Sequence, residues 1–186
     1  MANQVVNITH DRFENSTNSE SIHLRYDLKQ GFLQYVYLQL WLHSTKEGGR
    51  DSLSIVAFVE SEDWIFLRNG SLSLRLDDRE NINIAAELVD SRVLDGHCVT
   101  EGVVYSINRN TLKKICDASV LEAKITGSRG NWELNLQDFL SVARIFYNQV
   151  YDNSKYTNEQ FTVKRGCLGV IIASIIMTST IGFLLL

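Results

Sequence analysis

Apolar and polar residues alternate at period two through most of this chain, and the alternation predicts strands before it predicts anything else. Ile22, Leu24, Tyr26 and Leu28 alternate with polar neighbours and read as a half-buried strand. Gly31 offers a turn, and FLQYVYLQLWLH follows as a longer strand with two unlike faces. One face carries Phe32, Val36, Leu38, Leu40 and Leu42 and is expected to meet the core. The other carries Leu33, Tyr35, Tyr37, Gln39, Trp41 and His43, an aromatic surface with polar handles of the kind that contact surfaces favour. A face like this is either covered by a helix of its own chain or left to receive a partner. Tyr35, Tyr37 and Trp41 are the candidate partner-binding residues.

LSIVAFV, residues 53–59, is apolar at every position but Ser54 and predicts a largely buried strand. In WIFLRNGSLSLRL the Asn69-Gly70 pair stands between two alternating runs, which predicts a two-residue hairpin turn. INIAAEL, residues 82–88, predicts a strand, the polar stretch 89–102 a long loop, and VVYSI, residues 103–107, a return to strand.

The period then changes. NTLKKICDA predicts a short helix with Asn110 as its N-cap and Leu112, Ile115 and Cys116 turned inward. VLEAKIT and WEL flank GSRGN as a further hairpin. NLQDFLSVARIFYNQV closes the body as a helix capped by Asn135. Leu136, Phe139, Leu140, Ala143, Phe146, Tyr147 and Val150 form its apolar stripe, and Gln137, Asp138, Ser141, Arg144 and Asn148 its wet face. Successive strands with tight turns favour antiparallel pairing. The expected fold class is therefore α+β, a mainly antiparallel sheet with a short helix and a longer C-terminal helix packed on it, followed by one transmembrane helix.

That last expectation rests on the end of the chain. Residues 166–186 hold no charge, and eleven of them are Leu, Ile, Val or Phe. As a helix they would span roughly 31 Å, about one hydrocarbon core. Eleven such side chains favour insertion by roughly 3–7 kcal/mol. The alternative, a buried core helix, ordinarily shows a polar stripe that this segment lacks. Lys164 and Arg165 precede it, and by the positive-inside tendency they keep the preceding body in the cytoplasm. Ser174, Thr178 and Gly182 fall four apart and form a small-residue stripe for close helix packing, which would serve a homo-oligomer. Cys167, at the membrane boundary beside the basic pair, is placed for acylation. The organisation expected is thus a polar N-terminal segment over 1–19, an α+β domain over 20–151, a polar tether over 152–165 and a membrane helix over 166–186.

Composition narrows the function classes. The chain has 186 residues, 45% hydrophobic and 22% charged, which is globular rather than disordered. Of its 18 Lys and Arg, 16 precede Lys164, against 22 Asp and Glu, so the body carries a net −6. An acidic body disfavours nucleic acid, which rewards dense basic patches. The beginning of the chain has no basic and apolar leader pattern. Three cysteines without CxxC spacing predict neither a disulfide scaffold nor a zinc cluster.

Candidate chemistry is sparse. Asp95-Gly96-His97-Cys98 is the most reactive-looking group, and a tethered enzyme would use it. Adjacent residues of an extended chain point apart, so His97 is poorly placed to activate Cys98. Asp95 and His97 alone do not complete a metal site. Arg109, Lys113 and Lys114 make a small basic face. No catalytic residue, cofactor or metal is expected. The reading that follows is a tail-anchored, single-pass membrane protein with a cytoplasmic binding module, its partners being membrane lipid through 166–186 and a protein through the aromatic strand.

Overall fold

Alternation at period two sends successive side chains to opposite faces of a strand, and this dictates most of the architecture. The computed structural model describes residues 5–30, 33–94 and 98–152. They form eleven strands and two helices in the order β1 Val6–Asp11, β2 Ser16–Ser21, β3 Leu24–Gln30, β4 Leu33–Glu47, β5 Arg50–Ser61, β6 Ser71–Leu76, β7 Glu80–Ala85, β8 Glu87–Leu94, β9 Cys98–Ile107, α1 Arg109–Asp117, β10 Leu121–Gly127, β11 Gly130–Asn135 and α2 Gln137–Tyr151. The class is α+β, and every strand pairing among the described residues is antiparallel. No helix among the described residues is long and apolar enough to cross a membrane. The stretch 166–186, on which the membrane helix is expected, lies outside the described residues.

Seven strands make the larger sheet, ordered β1-β2-β4-β5-β9-β8 with β3 also paired to β4. β4 is long enough to serve two neighbours on one side. β2 lies along its Glu47 end and β3 along its Leu33 end. The polar segment at the start of the chain is therefore not without structure, since β1 and most of β2 fall within residues 1–19, and Val6 is buried. The second sheet is ordered β11-β10-β6-β7.

One core joins the two. Val36, Leu38, Leu40, Leu42, Ile55, Ala57, Val103 and Tyr105 face it from the larger sheet. Leu72, Leu74, Leu121, Ile125 and Trp132 face it from the smaller. Phe139, Leu140, Val142, Ala143 and Phe146 of α2 fill the space between, so most of the apolar stripe read from the sequence is buried, joined by Val142 and by Asn148, expected on the wet face, while Val150 is half-buried. Arg144, expected on the wet face, is half-buried and donates to the carbonyls of Cys116 (2.9 Å) and Ala118 (2.7 Å). It satisfies the end of α1, where helix carbonyls lack partners of their own.

The crossover from β5 to β6, residues 62–70, ties the sheets together. Glu101 points inward from β9 with 3% of its surface exposed. Its Oε1 accepts from the N–H groups of Ile65 (2.6 Å) and Phe66 (3.0 Å), and its Oε2 from that of Leu67 (2.8 Å). Phe66 sits in the left-handed region at φ 57°. So bulky a residue is uncommon there. The Glu101 oxygens hold it in place. On its other side the crossover lies against the end of β10, where Ser128 and Arg129 donate to the carbonyls of Phe66 and Ile65.

Several expectations are corrected. Asn69-Gly70 does not turn a hairpin, because Leu67–Asn69 form a 3-10 turn and Gly70 is extended at φ −104°. Glycine serves here because it allows close backbone approach. A Cβ at Gly70 would lie 1.6 Å from the carbonyl oxygen of Thr126. The residues at positive φ between β6 and β7 are Asp77 and Asp78, at 49° and 56°. Positive φ at both central positions is what a tight hairpin turn requires. Residues 89–102 are not a long loop, because most of them belong to the β8–β9 hairpin, whose Asp90, Arg92 and Thr100 lie on the sheet face away from the core while Glu101 faces inward. Ala86 divides the run at 82–88 between the two sheets, Ile82 and Ile84 going to β7 and Leu88 to β8. The N-cap of α1 is Asn108, whose Oδ1 accepts from the N–H of Thr111 at 2.9 Å, not Asn110. At α2 the cap position is Leu136, and Asn135 Oδ1 accepts from the N–H of Gln137 at 3.0 Å.

Two substitutions probe the crossover. Glu101→Gln puts an amide N–H where acceptors are required and should cost about 2–4 kcal/mol in a chemical denaturation experiment. Gly70→Ala drives a methyl into backbone and should lower stability by about 3 kcal/mol. Gly49→Ala, with nothing within 4 Å, carries only its φ strain.

Candidate functional site

The outer face of the larger sheet is built from the residues that alternate with the core positions. Registered pairs place them in rows across the strands. Asp27, Tyr37, Glu60, Thr100 and Arg92 form one row. Arg25, Gln39, Phe58, Gly102 and Asp90 form the next. Trp41, Val56, Val104 and Glu87 form a third, and Glu20, His43, Ser54 and Ser106 a fourth. Both helices and the second sheet pack on the opposite face, so no described helix covers this one.

Aromatic side chains on the face are held by their neighbours. The ring of His23 stacks on that of Trp41, centroids 4.1 Å apart and 13° from parallel. The guanidinium of Arg25 lies 4.0 Å over the Tyr37 ring and 3.3 Å from the Asp27 carboxylate. A cation so placed is attracted by the ring quadrupole. Phe58 lies beside Gly102, where a Cβ would be 3.8 Å from its ring. The centre of the face is thus Trp41, Val56, Val104 and Phe58, all half-buried. Around it stand Glu20, Asp27, Glu60, Glu87 and Asp90 against Arg25 and Arg92, an acidic rim.

A titratable cluster sits at one corner. Nε2 of His23 donates to the Glu20 carboxylate at 3.0 Å, and Glu20 lies directly across the ladder from His43. The hydrogen bond from His23 holds the Glu20 carboxyl below its ordinary 4.5, with burial opposing it. Burial pushes the His43 imidazole below 6.5, with the Glu20 charge opposing it. No group of three or more His, Cys, Asp or Glu among the described residues is arranged to hold a metal ion.

Of the residues singled out in the sequence, Tyr37 and Trp41 share this face, and Tyr35 occupies the same strand two places earlier. Asp95 and His97 lie outside the described residues, as do Lys164, Arg165, Cys167, Ser174, Thr178 and Gly182. Cys98 opens β9, half-buried, in register with Leu94. The basic face near α1 is engaged within the chain. Lys113 pairs with Asp117 and Lys114 with Glu80, while Arg109 donates to the carbonyl of Tyr151. The dip lined by Asp77, Asp78, Arg79, Ser119 and Val120 is shallow, and the N–H groups of Ser119 and Val120 occupy Asp77 Oδ1.

Sequence reasoning did not find His23, Arg25, Val56 or Phe58. In LSIVAFV every position but Ser54 is apolar, so no alternation separates Val56 and Phe58 from Ile55, Ala57 and Val59. The signal was the pairing partner, since β5 lies beside a strand whose two faces do differ.

No family model matches the chain, and no curated protein or solved structure is significantly similar to it.

Acid should weaken the fold through this corner. Both folded-state pKa values are depressed, so the unfolded chain binds more protons and stability falls with pH. Loss begins near 6.5, where the unfolded His43 protonates, and continues below 4.5, where the unfolded Glu20 does. Denaturant midpoints measured from pH 7 to 4 should show both steps. His43→Gln should remove the upper step and Glu20→Gln the lower.

Proposed function

We propose that this chain is a single-pass membrane protein held by residues 166–186, and that its α+β domain faces the cytoplasm as a recruitment module. The observation that carries the binding part is an outer sheet face that no helix among the described residues covers, with an aromatic and aliphatic centre and a charged rim, the usual anatomy of a protein contact. The acidic rim favours a protein partner that presents an apolar residue flanked by Lys or Arg, and it opposes nucleic acid and anionic lipid headgroups. The uncharged length of 166–186 and the Lys164-Arg165 pair support the anchoring part. Confinement to a bilayer raises the effective concentration of whatever the face captures.

The mechanism is capture without chemistry. Trp41 and Tyr37 supply rigid contact area at low entropic cost, and His23 and Arg25 fix their rings before a partner arrives.

Two measurements on one preparation test the reading. Full-length chain should stay with the membrane fraction through a carbonate wash, and a chain ending at Val163 should be released. The triple variant Tyr35→Ser, Tyr37→Ser, Trp41→Ser should keep the circular dichroism of the parent yet lose the partner recovered by crosslinking, by about a hundredfold. Retention of that partner by a folded triple variant rejects the surface, and release of the full-length chain by carbonate rejects the anchor.

A further inference from the structure

A sheet's last strand leaves outward N–H and C=O groups without ladder partners, and folded chains blunt such edges or use them. The larger sheet ends in β1 on one side and β8 on the other. Among the described residues β8 pairs with β9 alone. Its residues 88–94 read LVDSRVL. About Ser91 the segment is symmetric in hydropathy, with Leu88 matching Leu94 and Val89 matching Val93. The one asymmetry is charge, since Asp90 stands one place before the centre and Arg92 one place after.

That arrangement is what antiparallel pairing of a strand with its own copy selects. With a two-fold axis at Ser91, Asp90 of each copy falls opposite Arg92 of the other, while the register shift before Asp90 ends the regular match there. Moving the axis one residue either way sets Asp90 opposite Asp90 or Arg92 opposite Arg92, and like charges directly opposed are destabilising. The sequence therefore favours one register and penalises its nearest rivals. Asp90 and Arg92 share the outer face and already form an ion pair at 2.7 Å, so both charges lie at the strand's exposed margin. Val93 is 61% exposed, an apolar cost with no return inside one copy. The opposite edge offers no such match. Self-pairing of β1 about Thr9 sets Ile8 opposite His10 and Asn7 opposite Asp11.

We propose that β8 is a self-association edge, through which two copies of this chain join their seven-stranded sheets into one continuous sheet. A two-fold axis normal to the sheet keeps both outer faces on the same side, so the pair would present two copies of the Trp41 surface together. The ladder shifts register between Leu88 and Asp90, which confines regular pairing to the residues nearest Ser91. So short a contact gives reversible association rather than an obligate dimer. The edge strand alone carries this pairing, whether or not the outer face binds a partner.

Crosslinking of the full chain tests it, in a background of Cys98→Ser and Cys167→Ser. Under mild oxidation Ser91→Cys should give disulfide-linked dimers, and Thr9→Cys on the opposite edge should not. Asp90→Arg alone and Arg92→Asp alone, each added to Ser91→Cys, should lower the dimer yield about tenfold. Mixing the two charge variants should restore it, as mixed pairs only, which also shows that each is folded. Equal yields at Ser91 and Thr9, or yields that ignore the charge reversals, overturn the proposal. Dimers lost with Gly182→Leu but indifferent to both charge reversals assign the association to the C-terminal apolar stretch instead, and also overturn it.

Discussion

The buried carboxyl group of Glu101 is the contact on which the two-sheet arrangement depends. Between β5 and β6 the chain leaves one sheet and enters another, and in doing so it withdraws three consecutive backbone N–H groups that no ladder can satisfy. Buried donors of this kind are costly unless paired. One side chain from β9 answers all three. The same contact fixes Phe66 in its left-handed conformation and sets the crossover against the end of β10. The joint between sheets is therefore polar and directional, while the core around it is apolar and adaptable.

This joint accounts for the one-sidedness of the larger sheet. With the crossover held on the inner side, the second sheet and both helices follow there, and the entire apolar supply of α2 is spent on that face. The outer face then has no internal partner among the described residues. What it carries instead is a set of aromatic rings braced by His23 and Arg25, with carboxylates around them. Bracing of this kind is pre-organisation, because rings already ordered lose little freedom on contact.

How much of this was legible in the sequence differs by element. The two faces of β4 were plain, because Val36, Leu38, Leu40 and Leu42 alternate with residues of another character. The stripe of α2 and the β10–β11 hairpin were plain for the same reason. Gly70 misled because a glycine after asparagine satisfies two different requirements, positive φ and close backbone approach, and local sequence does not say which applies. The β8–β9 hairpin was hidden because one face of each strand is polar and Glu101, on the buried side, is charged. A carboxyl group in a strand reads as solvent-facing unless the donors it accepts from are known, and those lie 34 to 36 residues away. The outer face was half legible, since β4 declared it while β5, apolar on both sides, did not.

The last turn of α2 is fastened to the far end of the β4–β5 hairpin. Lys46 Nζ donates to the carbonyl of Val150 at 2.9 Å and lies over the Tyr151 ring, whose hydroxyl is 3.1 Å from Ser44 and from Asp51. Tension arriving at residue 152 is therefore shared between Arg109 at the start of α1 and β4, the strand that carries Trp41 on its other side. It meets twelve registered pairs between β4 and β5 before it can reach the core. The load path and the aromatic surface share a single strand, so force carried by β4 reaches the residues that display Tyr37 and Trp41.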